Sequence, residues 1–410
     1  MPGTDGWMTK RVIAGCASFL IAAGAHADID HFKNILIDGR ASTMGGAYAA
    51  VSDDAAGAYY NPAGLSLAQG DSISGSAKVF NISMIKYSNA IGTYDWSRDN
   101  KNLLPNYFGM VKKYGPHAFA ISYAVPDSVI EHQDLIIKNI VSGVSSTIAI
   151  YDYNLHSEDT VNLAGPSYSY KPGRNWSFGT TMYYHYRIFR KNLHYTIEYN
   201  DGSDEMYYSN STASEGGLRP KLGIMWMPLE KWSFGLTLAR TFLWNSKIEA
   251  QQTAKTKTTT NIQFLSSDSS EKRKLPVEIT LGSAFFPSPK LLVTLDLDVF
   301  IRTDYSDRNV WNLSAGSEFY ITPNHAVRLG AYSNHTKKPP VSTSTACPHQ
   351  HINMYGGTTG YSYFNRDLSI TIGGVYSQGS GDAQIFSGSG DSRPMRKYSL
   401  SLVTAASYGF

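Results

Sequence analysis

From residue 70 onward the chain alternates apolar and polar positions in segments of about ten residues, the pattern of strands with one apolar face. Candidate strands fall at 71–86, 105–113, 117–126, 159–171, 175–196, 216–227, 231–246, 274–286, 291–303, 309–321, 325–335, 355–364, 367–377 and 396–410. They number about fourteen, an even count that suits a closed antiparallel barrel. Their connections are of two kinds. Short ones at Tyr114-Gly115-Pro116, Lys171-Pro172-Gly173-Arg174, Pro228-Leu229-Glu230-Lys231, Pro287-Ser288-Pro289-Lys290, Thr322-Pro323-Asn324 and Asn365-Arg366 carry turn-forming residues. Long ones are expected near 87–104, 127–158, 197–215, 247–273, 336–354 and 378–395, with one short exception at Ser306-Asp307-Arg308. A barrel with a periplasmic rim of tight turns and an outer rim of loops accounts for this alternation.

The phase of the strands predicts which side faces lipid. Leu291, Val293, Leu295, Leu297 and Val299 lie on one face, and Thr294, Asp296 and Asp298 on the other. Val277, Ile279 and Leu281 alternate with Glu278, Thr280 and Gly282, as do Val327, Leu329 and Ala331 with Arg328, Gly330 and Tyr332. A charge on the lipid side near mid-membrane costs about 2 to 4 kcal/mol, so the polar set is predicted to line the lumen. Arg240 breaks this phase after Trp232, Phe234, Leu236 and Leu238, which puts it at headgroup level or beyond a bulge. In the last segment Tyr398, Leu400, Leu402, Thr404, Ala406, Tyr408 and Phe410 share a face, and a final strand ending on an aromatic resembles the signal read by the barrel-assembly machinery.

Composition narrows the class. With 42% hydrophobic and 17% charged residues, 36 Gly and 28 Tyr in 410 residues, the chain is neither disordered nor typical of a charge-coated soluble protein. Beyond position 27 no apolar run reaches about 20 residues, so a helical membrane protein is excluded, and the mean hydropathy of -0.26 agrees. The N-terminus reads as an export signal over residues 1–27: Lys10-Arg11, an apolar run from Val12 to Gly24, and Ala25-His26-Ala27 as the cleavage site. Translation from Met8 would give a more ordinary signal than from Met1, and Ile13-Ala14-Gly15-Cys16 is a weaker, lipoprotein-like alternative with too short an apolar run.

Little points to chemistry. Cys347-Pro348-His349-Gln350-His351 groups three metal-capable side chains without a fourth, in a stretch rich in Pro and Ser, so no metal or other cofactor is expected. The net charge of +3 is scattered, which speaks against nucleic acid. Ser333-Asn334-His335 lacks an acidic residue to orient the histidine, so an outer-membrane lipase is not expected and no catalytic residue is assigned.

Residues 28–70 differ from the rest, being rich in Gly and Ala without a period of two. Roughly 43 residues without a disulfide seldom hold a core of their own, so this segment is expected to pack inside the barrel of residues 71–410 as a plug. It runs Gly39-Arg40-Ala41-Ser42-Thr43-Met44-Gly45-Gly46-Ala47-Tyr48-Ala49-Ala50, then Asp53-Asp54-Ala55-Ala56, then Tyr60-Asn61-Pro62-Ala63-Gly64-Leu65. These residues resemble the N-terminal hatch of the FadL family of long-chain fatty-acid and hydrocarbon transporters of the bacterial outer membrane. The resemblance implies a fourteen-stranded barrel whose hatch blocks the lumen, shifts on ligand binding and releases ligand sideways through a kinked strand. It places gating or ligand contact at Gly45, Gly46, Asn61, Pro62, Ala63 and Gly64. Gly45 and Gly46 suit positive φ or close backbone approach, and Asn61-Pro62 suits a turn. Pro126, which removes a ladder donor, marks either the kink or a plain strand end, and the plain end is the simpler expectation.

The function expected is uptake of a hydrophobic small molecule by a monomeric barrel in contact with outer-membrane lipid. In the long segment 127–158, Leu135, Ile136, Ile137, Ile140, Val141 and Val144 fall at helical spacing and would form an apolar capture patch, with Phe264 and Leu265 as neighbours. Arg328 is a candidate lumen contact for a carboxylate. Related barrels serve protein secretion to the surface, and an adhesin-like role is a further alternative.

Overall fold

The computed structural model describes residues 30–91, 94–140, 148–257, 261–341, 349–384 and 392–410. The expected signal at 1–27 and Cys347 lie outside them. Alternating residues from 72 to the C-terminus build β1 (Ser72–Ile91), β2 (Tyr94–Tyr114), β3 (His117–Ile140), β4 (Ile148–Tyr170), β5 (Trp176–Tyr199), β6 (Asp204–Leu229), β7 (Trp232–Arg240), β8 (Phe242–Lys255) and β9 (Gln263–Ser269). The ring continues through β10 (Val277–Ser288), β11 (Leu291–Ile301), β12 (Val310–Thr322), β13 (His325–Asn334), β14 (Gln350–Phe364), β15 (Leu368–Ala383) and β16 (Arg393–Gly409). Every pairing is antiparallel, β16 closes on β1 and β5 closes on β6, so fourteen strands form a barrel. The remaining two are extensions: β8 continues the line of β7 beside β6, and β9 pairs with β8 alone.

The lipid-facing set predicted from phase is the set found. Val293, Leu295, Leu329, Leu400, Leu402 and Phe410 are exposed on the barrel's exterior, whereas Thr294, Asp296, Asp298 and Arg328 are buried within. Large apolar side chains left outside on every side of a closed ring require a non-aqueous surround, so this is a membrane-spanning barrel. Aromatic stacks band it, with Trp176, Trp226, Trp232 and Phe285 near the tight turns and Tyr184 with Trp244 towards the other rim. Arg240 keeps the outward phase without a bulge and lies over the Phe242 ring at 5.1 Å, the headgroup-level alternative.

The long loops are where the sequence reading fails. Segments 87–104, 127–158, 197–215 and 247–273 are largely strand, and β6 alone runs 26 residues. At about 3.3 Å per residue that is on the order of 80 Å, more than a tilted membrane crossing uses. Beyond the bilayer the outer face meets water instead of lipid and need not be apolar, so the strict alternation that reveals a strand weakens. The helix-spaced patch goes with the loop: Leu135, Ile136 and Ile137 lie on β3, where Ile136 is exposed and Ile137 is buried against Tyr151 of β4, and Ile140 only pairs its backbone with Ile148. Val141 and Val144 fall outside the described residues, and Phe264 and Leu265 sit on the β8–β9 hairpin.

Inside the ring, residues 30–71 form a plug with a short helix α1 (Gly39–Thr43) and two 3-10 turns at Ala55–Ala58 and Pro62–Leu67. Asp38, Asp54 and Asn61 cap these three elements by accepting from Arg40, Ala56 and Ala63 N–H groups.

Candidate functional site

The plug meets the wall in two ways. On the β5–β15 side it does so through backbone. Lumen-facing glycines stand opposite one another in four pairs: Gly179 with Gly223, Gly235 with Gly282, Gly316 with Gly330, and Gly360 with Gly373. A Cβ at any of the eight would come closer than 3.0 Å to a neighbouring atom, in the plug or on the adjoining strand: Pro62 and Asn61, Ala49 and Ala50, Met44 and Gly45, and Thr43 take turns along the ring. Gly45 and Gly46 hold φ of 68° and 74°, and Gly45 lies against the Ala331 backbone. Asn61 is fully buried, with its Nδ2 donating to Ala49 O at 2.8 Å and to Ile224 O of β6 at 3.1 Å. The Ala63 carbonyl accepts from Ser169 Oγ at 2.8 Å and Ser177 Oγ at 2.6 Å, and a Cβ on Gly64 would strike Ser52. Asp296, foreseen as a lumen residue, accepts from the Tyr48 and Ala49 N–H groups at 2.7 and 2.8 Å. The six motif residues are thus brought to this docking surface, and all their observed contacts are with plug and wall.

An ionic chain reinforces it. Arg328 is completely buried with its guanidinium on Glu318 at 2.9 Å, and Glu318 also takes Arg40 of the plug at 2.7 Å, which reaches on to Asp53 at 2.6 Å. Arg328 is therefore occupied as a structural cation, and the carboxylate a ligand was expected to bring to it is supplied by Glu318. Asp54, in the plug rather than in a membrane-spanning strand, has its carboxyl pushed up to about 7, first by burial and then by Asp38 nearby.

The β1–β4 side is different. β3 does not end at Pro126: its register against β4 slips between Ala124 and Asp127, leaving Val125 and Pro126 in a bulge, and the strand then continues to Ile140. At the same point β3 leaves β2, whose ladder with it stops at Tyr107 and Ala124. Among the described residues the two strands meet again through side chains, where Arg98 of β2 pairs with Glu131 of β3 and Gln133 Nε2 reaches Asp99 O at 3.4 Å. Between the last rung and that clasp lies an unladdered window in the wall. Behind it Ile35 and Ile37 of the plug share an apolar cluster with Leu104, Tyr107, Val125 and Leu163. Here the plug is held by side chains: Asn106 Nδ2 donates to Leu36 O at 2.9 Å, Asn34 Nδ2 to Asp127 at 3.1 Å, and Tyr107 OH to Ala55 O. None of Asn34, Asn106, Tyr107 or Asp127 was singled out in sequence. Only Pro126 carried a signal.

A closed antiparallel ring with an apolar exterior, a plug in its lumen and a broken rung beside an apolar cluster defines a plugged transmembrane β-barrel. No family model matches the chain, and no curated protein matches it in sequence. Among solved structures it is similar to the toluene transporter TodX of Pseudomonas putida, with a TM-score of 0.67 and 14% identity over 92% of this chain and 100% of that one. A FadL homologue of Pseudomonas aeruginosa gives 0.65 and 13% over 93% and 100%, and the toluene transporter TbuX of Ralstonia pickettii 0.62 and 13% over 92% and 99%. The hatch-and-barrel architecture expected from the Asn61-Pro62-Ala63-Gly64 resemblance is the architecture found.

Proposed function

We propose that this protein resides in the bacterial outer membrane and takes up hydrophobic small molecules, which leave the lumen sideways through the window between β2 and β3. The observation that carries the reading is the loss of the β2–β3 ladder above Tyr107 and Ala124, directly in front of the apolar cluster around Ile35 and Ile37. An unpaired wall is costly unless it is used, because backbone N–H and C=O groups in hydrocarbon need partners. A passage that lets an apolar solute move from lumen to lipid without crossing bulk water gives it a use. Solved structures of this fold named as toluene transporters support the choice of solute. The chain closes its ring alone and is proposed to act as a monomer after insertion by the barrel-assembly machinery, with the exposed Ile136 above the bilayer as a first contact for ligand.

The test is uptake into proteoliposomes loaded with a reporter for a long-chain fatty acid and, separately, for toluene. The expected result is entry faster than in protein-free vesicles for at least one of the two. Equal rates for both would overturn the proposal.

A further inference from the structure

On the barrel's exterior, large apolar side chains give way to a gap between β7 and β11. Phe234 and Leu295 flank Ser283 in the ladder, and the small serine between them leaves a hollow of about 470 Å³. Trp226, Phe234, Leu236, Leu281 and Leu295 wall it, and Gly235 and Gly282 line its floor. Those two glycines also meet the plug: a Cβ on Gly235 would strike Ala49 O, and one on Gly282 would strike the Ala49 side chain and Ala50 N. The wall at this point is one backbone thick, with plug on its inner side and hollow on its outer side.

The strands that bound the hollow run down to the rim of tight turns, where Trp176, Trp226 and Trp232 form the interfacial band. Lys231 precedes β7 and Lys290 precedes β11, about 10 and 17 Å along their strands from Phe234 and Leu295. Both lysines are exposed, and among the described residues neither enters an ion pair. Glu230 shares the first turn, so two cations and one carboxylate leave one net positive charge, the counterpart of a single phosphodiester.

A void against hydrocarbon forfeits dispersion contacts that a chain lying in it restores. We propose that the hollow seats one acyl chain of a glycerophospholipid of the periplasmic leaflet, with the lipid's phosphate between Lys231 and Lys290. The apolar walls take the tail and the lysines choose the head group. Only the backbone of Gly235 and Gly282 separates such a chain from Ala49 and Ala50, so an occupied hollow backs the plug's seat from outside. This rests on the outer-membrane placement and is independent of the route of uptake.

The test places the full barrel in nanodiscs with a phospholipid carrying a diazirine in its acyl chain, or with a diacylglycerol of the same chains, and maps the cross-links by peptide. A second exterior hollow, of about 420 Å³ round Gly357, Gly374 and Tyr376, is the comparison, because the turn between β14 and β15 beside it balances Arg366 with Asp367. In wild type the phospholipid is expected to label the segment of Leu281, Ser283 and Leu295 about fivefold more than the second hollow. Ser283→Trp, which fills the hollow from the lipid side, should abolish the excess, and the double variant Lys231→Ser/Lys290→Ser should reduce phospholipid labelling to the diacylglycerol level. Heat-modifiable migration of each variant confirms a closed barrel. Equal labelling of the two hollows in wild type is ordinary boundary lipid and overturns the proposal. A dimer seen by native mass spectrometry that Ser283→Trp separates would give the hollow to a second copy of the chain and overturn it as well.

Discussion

The two halves of the plug's circumference are held by different means. Across β5 to β15 glycine pairs let strand backbone touch plug backbone, with side chains such as Asp296 and Glu318 added between them. Across β1 to β4 no such glycine pairs face the plug, and single hydrogen bonds hold residues 34–55: Asn106 and Tyr107 donate to the plug, and Asp127 accepts from Asn34. A backbone seat has no rotamers to change, so the first half resists displacement. A side-chain contact can swing away and return, so the uptake proposed above draws its plug movement from the second half.

That contrast can be broken in several places. The largest effect is expected at Gly223, where Gly223→Val would drive a side chain into Asn61 and Pro62. Overpacking against backbone costs about 3 kcal/mol, and the variant should lose heat-modifiable barrel. Gly374→Val, on the lipid side with its nearest neighbour 3.9 Å away, should keep it. Equal loss in both would mean that the seat is not special. Next, Glu318→Ala strips Arg328 and Arg40 of their shared carboxylate and is expected to lower the unfolding free energy measured in urea by about 3 to 5 kcal/mol, more than Asp53→Ala at the exposed end of the same chain.

The window is sharpened by deletion. Removing Pro126 takes out the extra residue that shifts β3 against β4, so the barrel should stay folded while uptake falls at least about tenfold. Unchanged uptake would exclude this opening as the route. The smallest effect concerns pH. The Asp54 carboxyl is pushed up to about 7 in the fold, well above its unfolded value, so its proton stabilises the plug below about pH 7 and that contribution is lost as pH rises through it. Hydrogen exchange of residues 47–58 should be slower at pH 5 than at pH 8, and Asp54→Asn, which keeps the cap on Ala56, should flatten the difference.

How much of this was legible follows from which surroundings leave a trace in sequence. Lipid on one side and polar lumen on the other impose period two, so the membrane portions of all fourteen strands could be placed from residues such as Val293 and Asp296 alone. Above the bilayer that contrast vanishes, and the distal parts of β3, β4 and β6 read as loop. The plug's existence was visible in its composition and its Asn61-Pro62-Ala63-Gly64 turn. Its seat was not, because a glycine in a strand looks the same whether it answers a bend or another backbone, and pairing Gly223 with Gly179 requires the register of β5 on β6. Arg328 was rightly placed inward, but the identity of its partner depended on Glu318 standing directly across from it on β12.

The glycine pairs also bear on chronology. The plug is joined through Asp71 to β1, one of the two strands whose meeting completes the ring, while its seat runs round the wall from β5 to β15. Surfaces fitted backbone to backbone leave no clearance for a segment to slide home later. The wall must then wrap around a plug already lying in place, and the join between β1 and β16 is the last event of assembly rather than the first.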